Sequence, residues 1–371
     1  MKIALLGFGT VGSHFYELAR EQDAVTVAAV LSRRPRPELS CTVTSDFDEI
    51  VRDPEIDTVV EAIGGLEPAF SYVAAALRAG KNVVTANKQL MCAHYDELLE
   101  LAHEHDACLR CTAAAGGGIP WLTSLARTAE MDEVSAVEGI LNGTTNYILN
   151  AMTEDGLGYA EALEKAQELG LAEKDPTADV EGLDTRRKLV LSANLAFGVS
   201  LREEDVPCIG ITQIGKREVR LAKARGLTFK LVGRAERVNG KISAYVCPTL
   251  YPDSAPEAHM TGAENLISLY SERIGKQSFT GEGAGGFPTA SNVLADCLAI
   301  ARGGCSAYYT DKHAPCELDN SAAEAEWLMR TDAAILSGRK PTAEQFASYE
   351  SYKASDSNVP LLARLAGGAK W

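Results

Sequence analysis

The chain has 371 residues, of which 46% are hydrophobic, enough to bury a large core and build two or more domains. Its 36 Lys and Arg against 51 Asp and Glu leave a net charge of -15, a surface that repels nucleic acid and anionic membranes and suits a protein acting on small molecules. No apolar stretch is long enough to cross a bilayer, and nine cysteines without framework spacing read as reduced thiols of a cytoplasmic protein.

Residues 2–6, Lys-Ile-Ala-Leu-Leu, predict a buried strand rather than a signal peptide, because the apolar run stops at Leu6 and enters a glycine loop. Gly7-Phe8-Gly9-Thr10-Val11-Gly12 follows, then a helix to about Arg20 and a second strand over 25–31. Alone, GxGxxG carries little. Between a strand and a helix, with a second strand after it, it has the context of a dinucleotide fingerprint. Gly7 permits the tight turn, Gly9 lets a pyrophosphate approach the backbone, and Gly12 lets helix pack on strand. The helix N-terminus then offers free N–H groups to the phosphates. The second strand ends Leu31-Ser32-Arg33-Arg34, with no acid for a ribose hydroxyl. Arg33 and Arg34 suit a 2′-phosphate, which favours NADP over NAD; the other reading is a solvated loop.

The βα rhythm continues with a strand over 57–63, a helix over 67–79 and a strand over 81–86. Strand ends are where an open parallel sheet places ligands, so Ile63, Gly64, Thr85, Asn87 and Lys88 are expected to line the nicotinamide half of the crevice. For Lys88 a phosphate contact is the competing role. His103, His105, Cys108 and Cys111 form H-x-H-x-x-C-x-x-C, but the two cysteines fall in a predicted strand over 107–112. Positions three apart there point to opposite faces, which opposes zinc.

After 107–112 the alternation changes. Residues 113–120, Ala-Ala-Ala-Gly-Gly-Gly-Ile-Pro, are either a flexible crossover or a loop presenting carbonyls to a monovalent cation. Residues 139–149 read as strand, tight loop and helix, with Thr144 or Thr145 as N-cap. That helix start is an anion site for a substrate carboxylate, or plain capping. An amphipathic helix over 159–169 leads into an acidic segment ending at Lys188. Asp175, Asp179, Glu181 and Asp184 fail the alternate spacing of a calcium loop. Asp184 and Lys188 lie four apart where helical periodicity resumes after Gly182, so both share one face, a carboxylate holding an ammonium charged and aimed. A surface ion pair is the alternative. Residues 241–250 read as a strand, and the glycine-rich loop 281–290 presses its backbone against a ligand or another strand before a helix over 291–302.

Four segments together resemble the homoserine dehydrogenases, in that family's order over roughly residues 1–310. They are Val83-Val84-Thr85-Ala86-Asn87-Lys88, residues 141–149 (Leu-Asn-Gly-Thr-Thr-Asn-Tyr-Ile-Leu), residues 172–188, and residues 283–291 (Gly-Ala-Gly-Gly-Phe-Pro-Thr-Ala-Ser). The run Asp-Val-x-Gly-x-Asp-x-x-x-Lys from Asp179 to Lys188 is specific to the family; GxGxxG is not. The resemblance implies reversible reduction of L-aspartate 4-semialdehyde to L-homoserine with NAD(P)H, a step towards threonine and methionine. By position, Lys188 resembles the family's proton-transferring lysine, Asp184 its partner and Lys88 a second active-site lysine. Glu173 and Asp179 resemble the residues that hold the substrate's amino group, while Gly143 and Thr144 start the helix suited to its carboxylate. Gly283 belongs to the loop implied at the cofactor. The family's sodium ion would fall to the backbone carbonyls of Ala115, Gly117 and Ile119, although Thr112 stands where the family commonly has Glu.

The implied architecture is α/β, an N-terminal Rossmann-type doubly wound parallel sheet plus an α+β substrate-binding and dimerisation domain. Nucleotide binding is expected in 1–115, completed by a helix at about 290–320, and substrate binding and homodimer formation in 116–289. Residues 321–371 form an extension too short for the regulatory domain that many members append, although Trp327-Leu328-Met329-Arg330 resembles its beginning. The rivals are a catalytically silent NADP-binding sensor, disfavoured by the retained Lys88, Glu173, Asp184 and Lys188, and an oxidoreductase of another amino-acid semialdehyde.

Overall fold

The computed structural model describes residues 1–305, 316–355 and 359–371. The chain divides into two compact units, one of Met1–Met131, Gly198–Ser200 and Glu282–Ala314, the other of Asp132–Phe197, Leu201–Gly281 and Pro315–Trp371.

In the first unit, β1 (Lys2–Leu6), β2 (Thr26–Leu31), β3 (Thr42–Thr44), β4 (Thr58–Glu61), β5 (Asn82–Thr85) and β6 (Leu109–Arg110) form one parallel sheet. Its order is β3-β2-β1-β4-β5-β6, so the direction of winding reverses between β1 and β4, where sheets of this kind bind ligands. β1 reads as an apolar run after Lys2 and β4 is buried along its length, with Ile3, Leu5, Val59 and Val60 fully buried. The helices are α1 (Thr10–Ala19), α2 (Phe47–Arg52), α3 (Ala69–Arg78), α4 (Lys88–Glu104) and α5 (Trp121–Met131). The expected strand over 107–112 shrinks to Leu109–Arg110, since Cys111 already leaves extended geometry for a short 3-10 turn over Thr112–Ala114.

The second unit begins with β7 (Val134–Ile140), α6 (Gly143–Glu154), α7 (Tyr159–Glu168), α8 (Thr177–Val180), α9 (Leu183–Phe197) and α10 (Lys216–Lys223). A long hairpin follows, β8 (Leu227–Val238) and β9 (Lys241–Pro252), then β10 (Glu264–Ser271) and β11 (Gly275–Glu282). The hairpin turns on Asn239 and Gly240, both at positive φ, the two-residue turn whose twist matches paired strands. The chain then returns to the first unit as α11 (Gly286–Ala301), which packs on α1 and buries Val293 and Cys297 in the core with Ile3 and Phe15. The helix expected at 290–320 therefore starts earlier and stops at Ala301, and residues 306–315 lie outside the described residues.

The C-terminal residues build β12 (Glu324–Arg330), β13 (Ile335–Pro341), α12 (Thr342–Ser355) and β14 (Leu361–Leu365). The complete second sheet runs β11-β10-β7-β8-β9-β14-β12-β13, with β14 parallel to β9. Trp327, Met329, Phe346 and Leu362 form one apolar cluster with Tyr245 and Cys247 of β9, so this extension completes the sheet. Arg364 of β14 is buried and donates to Glu138 on β7 at 2.8 Å, and Arg234 on β8 donates to the same carboxylate at 2.7 Å. Burial alone would raise the Glu138 carboxyl, but Arg364, Arg234 and the Tyr251 hydroxyl together bring it down to about 2.

One expectation is corrected. Cys108 and Cys305 are joined as a disulfide, their Cα atoms 5.4 Å apart, and the other seven cysteines are free. The pair is separated by 197 residues, and only the return of α11 to the first sheet brings them together. Among the described residues no cluster of His, Cys, Asp and Glu could hold a metal ion, and no helix is long and apolar enough to cross a membrane.

Removing Arg364 leaves Glu138 buried with weaker compensation. Arg364→Ala is expected to lower unfolding free energy by about 3 kcal/mol in urea denaturation. Stability equal to that of the parent chain would show that the extension is not anchored through this pair.

Candidate active site

The first unit presents a nucleotide cradle. Gly7 follows β1 at φ +94, and a Cβ there would fall 2.9 Å from the Ala62 carbonyl oxygen. A Cβ on Gly12 would fall 2.3 Å from the Gly7 carbonyl oxygen, so α1 sits on the turn only because both are glycine. Around Gly9 there is open space, and it caps α1 without a side-chain hydrogen bond. The first-turn N–H groups of Thr10 and Val11 therefore face no capping side chain and suit a pyrophosphate. Phe8 packs edge-on against Tyr16 and lies under the Arg36 guanidinium, 5.1 Å from the ring centre.

Beyond β2, Ser32, Arg33, Arg34, Arg36 and Thr44 help line a cavity of about 430 Å³. Ser32 Oγ donates to the Arg34 carbonyl and accepts from its N–H, which turns the chain so that Arg33 and Arg34 are exposed at the rim. Arg36 escaped the sequence reading because two prolines flank it and hide any strand or helix period.

At the ends of β4 and β5 the organiser is Glu61, a fully buried carboxylate that the sequence reading passed over. It accepts from the N–H groups of Ile63 and Gly64 at 2.7 and 3.0 Å and from Thr85 Oγ1 at 2.6 Å. Thr85 Oγ1 accepts from the Asn87 N–H, while Asn87 donates to the Gly65 carbonyl and caps α4 through the Leu90 N–H. Ile63, Gly64, Thr85 and Asn87 are thus one connected loop pair, and Lys88 opens α4 beside them, partly exposed.

The second unit gathers the acidic segment. α9 starts immediately after Gly182, at φ +82, where a Cβ would fall 2.9 Å from Cys208 Sγ. Asp184 and Lys188 then face the same way along a buried helix, with Lys188 Nζ 2.8 Å from Asp184 Oδ2. Lys188 Nζ also donates to the Leu141 carbonyl at 2.7 Å. Both side chains are about nine-tenths buried, so the pair is no surface ion pair. Asn142 Nδ2 donates to Asp184 Oδ2 at 2.9 Å and to Asp179 Oδ1 at 2.7 Å.

Asn142 is also the N-cap of α6, its Oδ1 accepting from the Thr145 N–H at 2.8 Å. The cap therefore lies earlier than Thr144 or Thr145, because Asn142 still has extended geometry while both threonines are already helical. Thr144 Oγ1 instead donates to the Leu171 carbonyl at 2.7 Å. A Cβ on Gly143 would fall 2.5 Å from the Ala263 carbonyl oxygen, so only glycine fits this helix start. Glu173 is exposed, and its carbonyl accepts from Gln167 Nε2.

The loop 115–119 in the first unit packs against the second glycine-rich loop. A Cβ on Gly117 would fall 2.4 Å from the Gly283 carbonyl carbon, and the Gly118 N–H donates to the Glu282 carbonyl at 3.1 Å. The second glycine-rich loop, Gly283 included, is pressed against backbone. The carbonyls of Gly117 and Ile119 accept from Asn292 Nδ2 at 2.5 and 3.0 Å.

Residues 7–111 match the sequence profile described as homoserine dehydrogenase, NAD binding domain, and residues 120–298 the one described as homoserine dehydrogenase. A homoserine dehydrogenase of Bacillus subtilis is 39% identical over 316 residues, covering 81% of this chain and 73% of its own. One of Corynebacterium glutamicum is 41% identical over 321 residues, covering 81% and 72%. A solved homoserine dehydrogenase structure from Thiobacillus denitrificans has a TM-score of 0.90 at 29% identity, over 98% of each chain.

Lys230 on β8 also bears on α6. It is fully buried, and its Nζ donates to Asn146 Oδ1 and Asn150 Oδ1 at 2.8 Å and to the Met260 carbonyl at 2.6 Å. Burial pulls this amine from 10.5 down to about 7, against a weaker upward pull from Glu154. Between those two values the unfolded chain holds more protons than the folded one, so Lys230 makes stability rise with pH across that window. Melting wild type and Lys230→Met from pH 7 to 10 is expected to show a steeper rise in wild type; parallel curves would refute it.

Proposed function

The chain belongs to the homoserine dehydrogenases, NAD(P)-dependent oxidoreductases that interconvert L-aspartate 4-semialdehyde and L-homoserine, and we propose that Lys188, aimed by Asp184, exchanges the proton at the reacting oxygen. The observation that carries this is the buried Asp184–Lys188 pair, with the Leu141 carbonyl as a further acceptor for the same ammonium. As the aldehyde is reduced, negative charge develops on its oxygen; an ammonium held there stabilises that charge and donates the proton. In homoserine oxidation the same nitrogen takes the proton back. The nicotinamide, when bound, supplies or accepts the hydride.

The rest of the second unit's constellation suits the two ends of the substrate. Asp179 and Glu173 are assigned to its amino group. The first-turn N–H groups of Gly143 and Thr144, which have no intrahelical partner, are assigned to its carboxylate. In the first unit, the turn of Gly7 to Gly12 holds the pyrophosphate, and Ile63, Gly64, Thr85, Asn87 and Lys88 the nicotinamide half. NADP is the proposed coenzyme over NAD, supported by Arg33, Arg34 and Arg36 around one cavity after β2. A cytoplasmic homodimer completes the reading, supported by the family and, for the compartment, by the chain's acidic balance. The carbonyls of Ala115, Gly117 and Ile119 are the donors a monovalent cation would use, and Asn292 Nδ2 lies against two of them.

Two experiments test this. Lys188→Ala is expected to lower kcat for homoserine oxidation by about 100-fold or more without unfolding the chain, and near wild-type turnover would remove the assignment. Replacing Arg33, Arg34 and Arg36 with Ala together is expected to raise KM for NADPH by about tenfold while sparing NADH. Equal effects on both coenzymes would overturn the preference.

A further inference from the structure

A monovalent cation in a protein loop is held by oxygen atoms that converge on one centre. The family implies such a centre at the carbonyls of Ala115, Gly117 and Ile119, and the residues present do not fit it. Asn292 lies on α11, itself buried, and its Nδ2 stands 2.5 Å from the Gly117 carbonyl oxygen and 3.0 Å from that of Ile119. An amide nitrogen carries two N–H donors, one for each carbonyl. Its oxygen in the same place would confront two acceptors and would need a cation between them. The two orientations of this one side chain therefore predict opposite responses to salt.

The surrounding charge favours the nitrogen. Thr112, where the family commonly has Glu, donates its N–H to Asp296 Oδ2 at 2.8 Å and its hydroxyl to Asp296 Oδ1 at 2.7 Å. Arg110 Nε donates to the same carboxylate at 2.9 Å, a pair buried on both sides. Asp296 is thus paired with a guanidinium and takes two further hydrogen bonds from Thr112. Asn292 and Asp296 are four residues apart on α11 and share a face. One turn of that helix therefore grips residues 110–119 at two places, Arg110 and Thr112 through Asp296 and the glycine loop through Asn292.

We propose that the Asn292 side-chain amide takes the place of the monovalent cation in this chain, so that the loop 115–119 is fixed without an ion. The inference rests on family membership only for what is replaced. Its primary readout is a melting temperature, which a wrong assignment of Lys188 would leave untouched.

The test compares sodium chloride, potassium chloride and choline chloride at matched ionic strength, following both the melting temperature and homoserine oxidation. The wild type is expected to show one melting temperature and one kcat in all three salts. Asn292→Asp sets a carboxylate against the two carbonyls and is expected to gain about 2 °C or more in sodium over choline, saturably. A wild type that gains stability or turnover saturably with sodium or potassium overturns the proposal. An Asn292→Asp protein indifferent to sodium also overturns it, because the amide would then not stand at an ion-competent centre. If Asn292→Asp does not fold, the wild-type salt series alone decides.

Discussion

A buried ammonium and a buried carboxylate cannot share a protein interior unless each charge finds a partner, and in the second unit the side chain that joins this pair to the half-buried Asp179 is Asn142. Its nitrogen donates to Asp179 and Asp184, its oxygen caps α6, and Asp184 in turn holds Lys188. One amide therefore ties Lys188, the acid beside it and the start of α6 into one connected network. Loss of any partner would leave charge or a polar group buried without compensation, which costs far more than an exposed pair is worth.

The nucleotide unit works under a backbone constraint of a different kind. Gly12 and Gly7 must both lack a Cβ for α1 to meet the turn, and the open space at Gly9 is what remains for a ligand. Glu61 does for the β4 and β5 loops what Asn142 does for α6. As a fully buried acceptor it collects two backbone N–H groups and a threonine hydroxyl and so fixes where the loops lie. In both units, one buried polar side chain sets the positions of the loop or helix start around it.

Helix α11 and the C-terminal extension show how segments far along the chain finish each unit. Asp296 and Asn292 on α11 secure the crossover after β6, and Arg364 on β14 reaches the Glu138 carboxylate on β7. The strands of this extension satisfy the edge of β9 that would otherwise present unpaired backbone groups.

What was legible in the sequence was local. The GxGxxG turn between apolar strands, the βα alternation and the spacing of Asp184 and Lys188 each repeat a short-range period that backbone geometry enforces. The Asn239-Gly240 turn was equally local but was overlooked beside the stronger strand signal of 241–250. Other features had no local trace. Asn292 meets the Gly117 carbonyl across 175 residues, Cys108 meets Cys305 across 197, and Arg364 meets Glu138 across 226. Such pairs depend on strand order and on which helix returns to which sheet, and no period along the chain encodes them. The sequence by itself determined most of the elements and the spacing that puts Asp184 and Lys188 on one helix face. Only the tertiary structure decided their partners, because a buried polar group is satisfied by whatever packing brings within hydrogen-bond reach.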